Sequence, residues 1–123
     1  MNMETKEGMK TFCEQVASRN GWILNKDDET LEELIEGLVH NKINLGYQSC
    51  PCRLASGKRD LDRDLICPCD YAKLDVIEFG ACYCNLYLRP DFYETIGEEY
   101  AIVPERRPVE KEKAVLDYFN ESK

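Results

Sequence analysis

Long apolar runs are missing from this 123-residue chain. Its longest ones are a few residues, far short of the ~20 that a membrane-spanning helix needs. Histidine is nearly missing too: His40 stands alone, so a histidine-based metal site is not expected. Positive charge is scarce, with 16 basic against 24 acidic residues and a net charge of −8. A nucleic-acid binder needs a basic face to displace counterions, so nucleic acid is not an expected partner, and neither is an anionic membrane surface. The stretch from Met1 to Gly8 holds no apolar segment and does not read as a secretory signal. A cytoplasmic, reducing location is therefore expected. No repeat and no low-complexity segment is visible.

What is present fits a folded domain. Hydrophobic residues make up 43% and charged residues 33%, as in ordinary globular proteins. The length suits one domain, expected to span 1–123. The fold class expected is mainly α: a small multi-helical domain with loops and short extended segments. Residues 4–20 read as a helix, because Met9, Phe12, Cys13, Val16 and Ala17 recur at three- and four-residue spacing. Asn20-Gly21 is its stop. Trp22 to Leu24 reads as extended. Asp27 or Asp28 caps a second helix whose inner stripe is Leu31, Leu34, Ile35, Leu38 and Val39. Short helices are expected over Asp60–Leu65, over Tyr71–Phe79 with Leu74, Ile77 and Val76 inward, and over Phe92–Tyr100. A last one runs over Val109–Phe119 with Val115, Leu116 and Phe119 inward. Asn85–Leu88 reads as extended, and 103–108 as an irregular arm.

The unusual count is seven cysteines. Cys13 falls on the apolar stripe of the first helix and reads as a small hydrophobe. The other six form three Cys-X-Cys pairs: Cys50-Pro51-Cys52, Cys67-Pro68-Cys69 and Cys82-Tyr83-Cys84. Fourteen residues separate the first two pairs and twelve the second two. Packing alone does not explain three equal spacings. In extended backbone, residues i and i+2 face the same side about 6.5–7 Å apart. Proline between them restrains both its own φ and the preceding residue. Each Cys-Pro-Cys is thus expected to be a stiff extended clip, able to give one or both sulfurs to a metal. In a reducing compartment, clustered cysteine points to metal or redox chemistry and away from structural disulfides. A structural zinc site and a cubane iron–sulfur cluster each take four ligands. Either leaves two thiols, which beside an electron carrier could close into a redox disulfide. A two-metal thiolate cluster, three plain disulfides, a zinc-stabilised interaction module and a simple electron carrier are the competing readings.

These motifs resemble the catalytic chain of ferredoxin:thioredoxin reductase, in which Cys-Pro-Cys, Cys-Pro-Cys and Cys-His-Cys follow in this order. The resemblance covers roughly residues 5–108, and Ile102-Val103-Pro104-Glu105-Arg106-Arg107-Pro108 is similar to the end of the family's non-photosynthetic members. The resemblance implies a [4Fe–4S] cluster held by Cys50, Cys67, Cys69 and Cys82. It implies a redox-active disulfide between Cys52 and Cys84, with Cys52 the exposed attacking thiol and Cys84 the sulfur against the cluster. It implies ferredoxin as electron donor and thioredoxin, or a related protein disulfide, as substrate. Two features depart from the photosynthetic members. The first loop between pairs is shorter and the second longer, as expected of a bacterial or archaeal member. Tyr83 stands where the family has histidine and is counted with the catalytic residues, as a phenol O–H near the sulfurs or as an aromatic cover. A tyrosine, with an unperturbed pKa of about 10, cannot shuttle protons near neutrality as a histidine does. Lys58, Arg59 and Arg63, or Arg106 and Arg107, are the candidate cations for docking an acidic donor.

Overall fold

The computed structural model describes residues 2–97 and 100–121. Helix α1 covers Lys6–Asn20 and starts where the Thr5 side chain accepts a hydrogen bond from the Gly8 N–H. It ends at Gly21, whose φ of 71° lets the chain turn back with its N–H on helix carbonyls. Helix α2 covers Asp28–Leu45, capped by the Asp27 carboxylate accepting from the Thr30 N–H. Met9, Cys13, Val16 and Ala17 of α1 pack with Ile35 and Leu38 of α2, as the periodicity predicts. Leu31, Leu34, Val39 and Phe12 are half-buried at the edge of that core.

Between these helices, strand β1 (Ile23–Leu24) pairs antiparallel with β2 (Tyr87–Leu88), matching Ile23 with Leu88 and Leu24 with Tyr87. This small sheet fastens the cysteine-bearing half of the chain to the N-terminal helices. Tyr87 is fully buried, its ring 5.3 Å from that of Trp22. Burying a side chain this large is worth roughly 2–3 kcal/mol.

The remaining elements are short. The expected Asp60–Leu65 helix is split into α3 (Arg59–Asp62) and a single tight turn over Arg63–Leu65. Helix α4 covers Ala72–Phe79, α5 Phe92–Thr95 and α6 Val109–Glu121. Two inward faces differ from the sequence reading. On α4 the buried residues are Ala72, Asp75 and Val76, while Leu74 and Ile77 are exposed. The reason is electrostatic: Asp75 turns inward to meet Arg106 at 2.8 Å, which leaves Leu74 and Ile77 on the outer face of the helix. On α6 only Val115 is fully buried; Phe119 is half-buried and Leu116 is exposed. Helix α5 is shorter than expected, the chain leaving it at Gly97 with φ 67°. Glu98 and Glu99, within the expected Phe92–Tyr100 helix, lie outside the described residues.

The arm after α5 is strapped down by charge. Glu105 pairs with Arg53, Arg106 with Asp75 and Glu78, and Arg107 with Asp64. This corrects the expectation that Arg106 and Arg107 face a partner. Arg107 is buried against Asp64, which also accepts from the Tyr71 hydroxyl at 2.6 Å. Arg63 is exposed but pairs with Asp60.

Asn85 shows how the loop leading into β2 is held. It is fully buried at φ 62°. Its side chain donates to the Ala101 carbonyl and accepts from the Ala101 N–H, and its carbonyl accepts from the Asn25 amide. Asn85→Ala should lower stability by about 2–4 kcal/mol, because two buried backbone groups lose their partners. Urea unfolding measures this. Asn85→Gly separates the causes: it keeps the unusual φ and should lose nearly as much. Full recovery with glycine would put the cost in the backbone conformation instead.

Candidate active site

The six paired cysteines come together through three local devices. Ser49 and Ile66 form an antiparallel bridge. Around it the Cys50 N–H donates to the Leu65 carbonyl at 2.8 Å, and the Cys67 N–H to the Gln48 carbonyl at 2.9 Å. Cys50 and Cys67 therefore sit diagonally across one bridge. The third pair rides on a hairpin loop between Ala81 and Leu88.

The outer pairs are both turns, so Cys50-Pro51-Cys52 is not the extended clip expected of it. The Arg53 N–H reaches the Cys50 carbonyl at 3.3 Å, and the Asn85 N–H reaches the Cys82 carbonyl at 2.8 Å. In each turn the first cysteine is at position one and the second at position three. Pro51 fills position two, where its fixed φ suits a turn. This geometry separates the two sulfurs of the first pair: Cys50 is buried and Cys52 exposed. Cys67, Cys82 and Cys84 are buried and Cys69 is half-buried.

Five sulfurs, from Cys50, Cys67, Cys69, Cys82 and Cys84, line one cavity. Its other walls include Ala72, Leu86, Tyr87 and the Tyr83 ring. The space between atoms is about 310 Å³, part of it open to solvent. The sulfurs ring the cavity without converging: among the described residues no three His, Cys, Asp or Glu side chains are grouped to hold a single metal ion. The donor set is all thiol. N–H groups point at it from the Tyr87 backbone (3.3 Å to Cys82 Sγ) and from Arg53 (3.5 Å to Cys69 Sγ). Thiolate ligands in an apolar shell with N–H donors to sulfur suit an iron–sulfur centre.

Beside this cavity stands a trio of thiols. Cys84 Sγ lies 2.9 Å from Cys50 Sγ, and both thiols reach the sulfur of Cys52. Hydrogen bonds from Cys50 and Cys84, helped by the Arg53 charge, pull the Cys52 thiol down to about 4. The same contacts push Cys84 far up. Burial pushes Cys67 well up and Cys82 up to about 12. Negative charge in the trio thus settles on its one exposed member, which is the condition for a nucleophilic cysteine.

Arg53 is the site residue that the cysteine spacing does not point to. Its guanidinium is buried between rings, 4.2 Å from the centre of Tyr83 and 5.4 Å from that of Tyr71. Burial opposes its charge, but the bonds to Glu105 at 2.8 and 2.6 Å and the nearby sulfurs outweigh it. The available signal was its place directly after Cys52, with Glu105 between the arm's prolines. Tyr83 is half-buried, and its ring covers the cavity and carries Arg53. The contacts of Tyr83 are thus those of its ring.

A mainly helical domain with one exposed, activated thiol against a ring of buried ones defines a class: thiol-based oxidoreductases built on a cysteine-held centre. The profile of the ferredoxin thioredoxin reductase catalytic beta chain matches residues 1–113, and this chain belongs to that family. It is 35% identical over 92 residues to the ferredoxin-thioredoxin reductase catalytic chain of Synechocystis sp., covering 73% of this chain and 75% of that one. It is 32% identical over 101 residues to the chloroplastic catalytic chain of Oryza sativa subsp. japonica, covering 80% and 66%. Over 92 residues it is 32% identical to that of Zea mays, covering 73% and 58%.

The burial pattern sets an order of reactivity. Brief alkylation of the reduced protein with iodoacetamide should label Cys52 before any of the other six cysteines. Peptide mapping by mass spectrometry reads the order. Labelling that begins at Cys69 or Cys84 would contradict the assignment of Cys52 as the accessible thiolate.

Proposed function

We propose that this chain is a ferredoxin-dependent disulfide reductase acting on thioredoxin or a related protein disulfide. The observation that carries this reading is the trio of Cys50, Cys52 and Cys84: one exposed, activated thiol in contact with two buried ones at the edge of a thiol-lined cavity. Cys50, Cys67, Cys69 and Cys82 would hold a [4Fe–4S] cluster, leaving Cys52 and Cys84 as the redox pair. When bound, the cluster supplies the electrons, one at a time, that regenerate that pair. The whole chain, 1–123, works as one domain. No helix among the described residues is long and apolar enough to cross a membrane, and a set of reactive thiols suits the reducing cytoplasm.

The protein's own residues carry out the exchange. Cys52 Sγ, as thiolate, attacks one sulfur of the substrate disulfide. That bond breaks, the first substrate thiolate leaves, and a mixed disulfide with Cys52 remains. Cys84 then attacks Cys52 Sγ, releasing the second substrate thiolate and closing the Cys52–Cys84 disulfide. Two electrons have moved from the enzyme dithiol to the substrate. Arg53 favours the thiolate on Cys52 without taking up or giving off a proton, since a guanidinium stays charged. Tyr83, in the position of the family's histidine, keeps water from the cavity and holds the guanidinium in plane.

Three measurements test the reading. Protein prepared without oxygen should be brown and hold about four irons per chain. Cys52→Ser should keep that iron and lose turnover, whereas Cys67→Ser should lose the iron. Mapping the air-oxidised protein should find Cys52 joined to Cys84; a Cys50–Cys84 bond would overturn the division into ligands and redox pair. A colourless protein holding zinc would favour the zinc-stabilised module instead.

The two readings of Tyr83 also separate. Tyr83→Phe keeps ring and cover, and its turnover should stay within about twofold of wild type. Tyr83→Ala should admit water, shown by faster bleaching of the cluster's visible absorption in air. A large loss of turnover in Tyr83→Phe, with the absorption intact, would return the phenol to the chemistry.

A further inference from the structure

The exposed thiol opens into a second cavity, separate from the one ringed by the buried sulfurs. This groove, about 600 Å³ of space between atoms, lies between the loop after the first cysteine pair and helix α6. Its apolar rim comes from Leu54 on the loop and from Val115 and Leu116 on the helix. Leu54 is 62% exposed and Leu116 54% exposed. Solvent-facing leucines on two separate elements, with a nucleophilic sulfur between them, form a surface that gains from being covered.

The charges in the groove add a second constraint. Arg53 and Arg107 line it, but each is already neutralised, by Glu105 and by Asp64. Glu112 also lines it and carries no ion pair among the described residues. The groove therefore offers no free cation and one uncompensated carboxylate, on a chain of net charge −8. With both arginines paired and Glu112 unpaired, the groove carries a net negative charge, so an anionic disulfide approaching Cys52 meets net repulsion. A disulfide framed by apolar surface with a cation beside it meets a complementary face.

We infer that this groove docks a protein disulfide set in an apolar surface with an adjacent lysine or arginine, and that it selects against small anionic disulfides such as glutathione disulfide. Leu54, Leu116 and Glu112 make the selection; Val115 anchors the helix. Leu116 lies past residue 113, where the family match ends, so part of this specificity belongs to the chain's own C-terminal helix. The inference rests on the reading of Cys52 as the attacking thiol.

The test uses the holoenzyme with dithionite as electron source and three oxidants: oxidised thioredoxin, neutral hydroxyethyl disulfide and glutathione disulfide. Wild type should reduce glutathione disulfide more slowly than hydroxyethyl disulfide, and added salt should narrow that gap by screening. In the Leu54→Ser/Leu116→Ser double variant, the ratio of kcat/KM for thioredoxin to that for hydroxyethyl disulfide should fall about tenfold, through KM, as expected for losing one well-covered leucine contact. An unchanged ratio, or glutathione disulfide reduced as fast as the neutral probe, overturns the docking proposal while the reductase reading stands. Wild-type holoenzyme that reduces none of the three overturns the reading of Cys52 itself, and the docking proposal with it.

Discussion

Three consecutive charged residues hold this structure in its working shape. Glu105, Arg106 and Arg107 each reach a different segment: Arg53 just after the first cysteine pair, Asp75 on α4 after the second, and Asp64 just before the second. The arm thus ties together the segments that carry Cys50, Cys52, Cys67 and Cys69. Most of these charged groups are out of solvent. Arg107 and Asp64 are each buried at both ends, and Asp75 is fully buried. Burying paired charges is a poor way to gain stability, because desolvation consumes most of the attraction. Losing one partner is another matter, since it strands the other charge and costs about 3–5 kcal/mol when both are buried. The strap is therefore best understood as a device for position. A hydrophobic contact would let the loops slide, whereas directed hydrogen bonds between guanidinium and carboxylate admit one alignment.

That alignment matters because the cysteines are part of the core. Cys50, Cys67, Cys82 and Cys84 pack in the same cluster as Met9, Val16, Leu38 and Tyr87. The ring of sulfurs is thus continuous with the packing of α1 and α2, and the small sheet holds the hairpin of Cys82 against them. A centre bound by these thiols would be a structural element as much as a reactive one, since binding to a site that exists only in the fold adds to folding free energy. Cys52 is the exception. Its turn carries it out of this cluster to the surface, one proline away from a buried neighbour.

What the sequence reveals of this arrangement follows the range of the interactions involved. Helices α1 and α2 are legible because apolar spacing and caps are local: Asp27 and Gly21 announce their ends. The cysteine pairs are legible for the same reason. The α4 face is not. Leu74 and Ile77 are apolar and exposed, while Asp75 is charged and buried, and only a partner 31 residues away explains the reversal. Arg53 is hidden in the same way, with Glu105 52 residues distant. Arg106 and Arg107 read as surface cations because an arginine in a sequence does not declare its carboxylate. The extended clip read from Cys50-Pro51-Cys52 is a turn, closed by the Arg53 N–H on the Cys50 carbonyl, since proline permits both conformations. Buried charge is the feature a single sequence states least clearly, and here it is what orders the site.

The same strap bears on Tyr83, whose ring stacks on Arg53. The chain has one histidine, His40, which is exposed on α2 and does not line the cavity. With Tyr83 in the hairpin, no histidine lines the cavity among the described residues. The trio is served by a charge that does not titrate. Arg53 stands against Tyr83 and Cys69, held there by Glu105. A histidine offers a charge that depends on its protonation; a guanidinium offers one that does not. Stabilising a thiolate requires only the charge, and the exposed sulfur of Cys52 can exchange its proton with water directly. The sulfur of Cys84 is buried, and the thiol nearest it is that of Cys50, at 2.9 Å. At this site, then, the charge beside Cys52 and Cys69 is a guanidinium stacked on the Tyr83 ring, and the arm that supplies Glu105 to Arg53 is what fixes that cation in place.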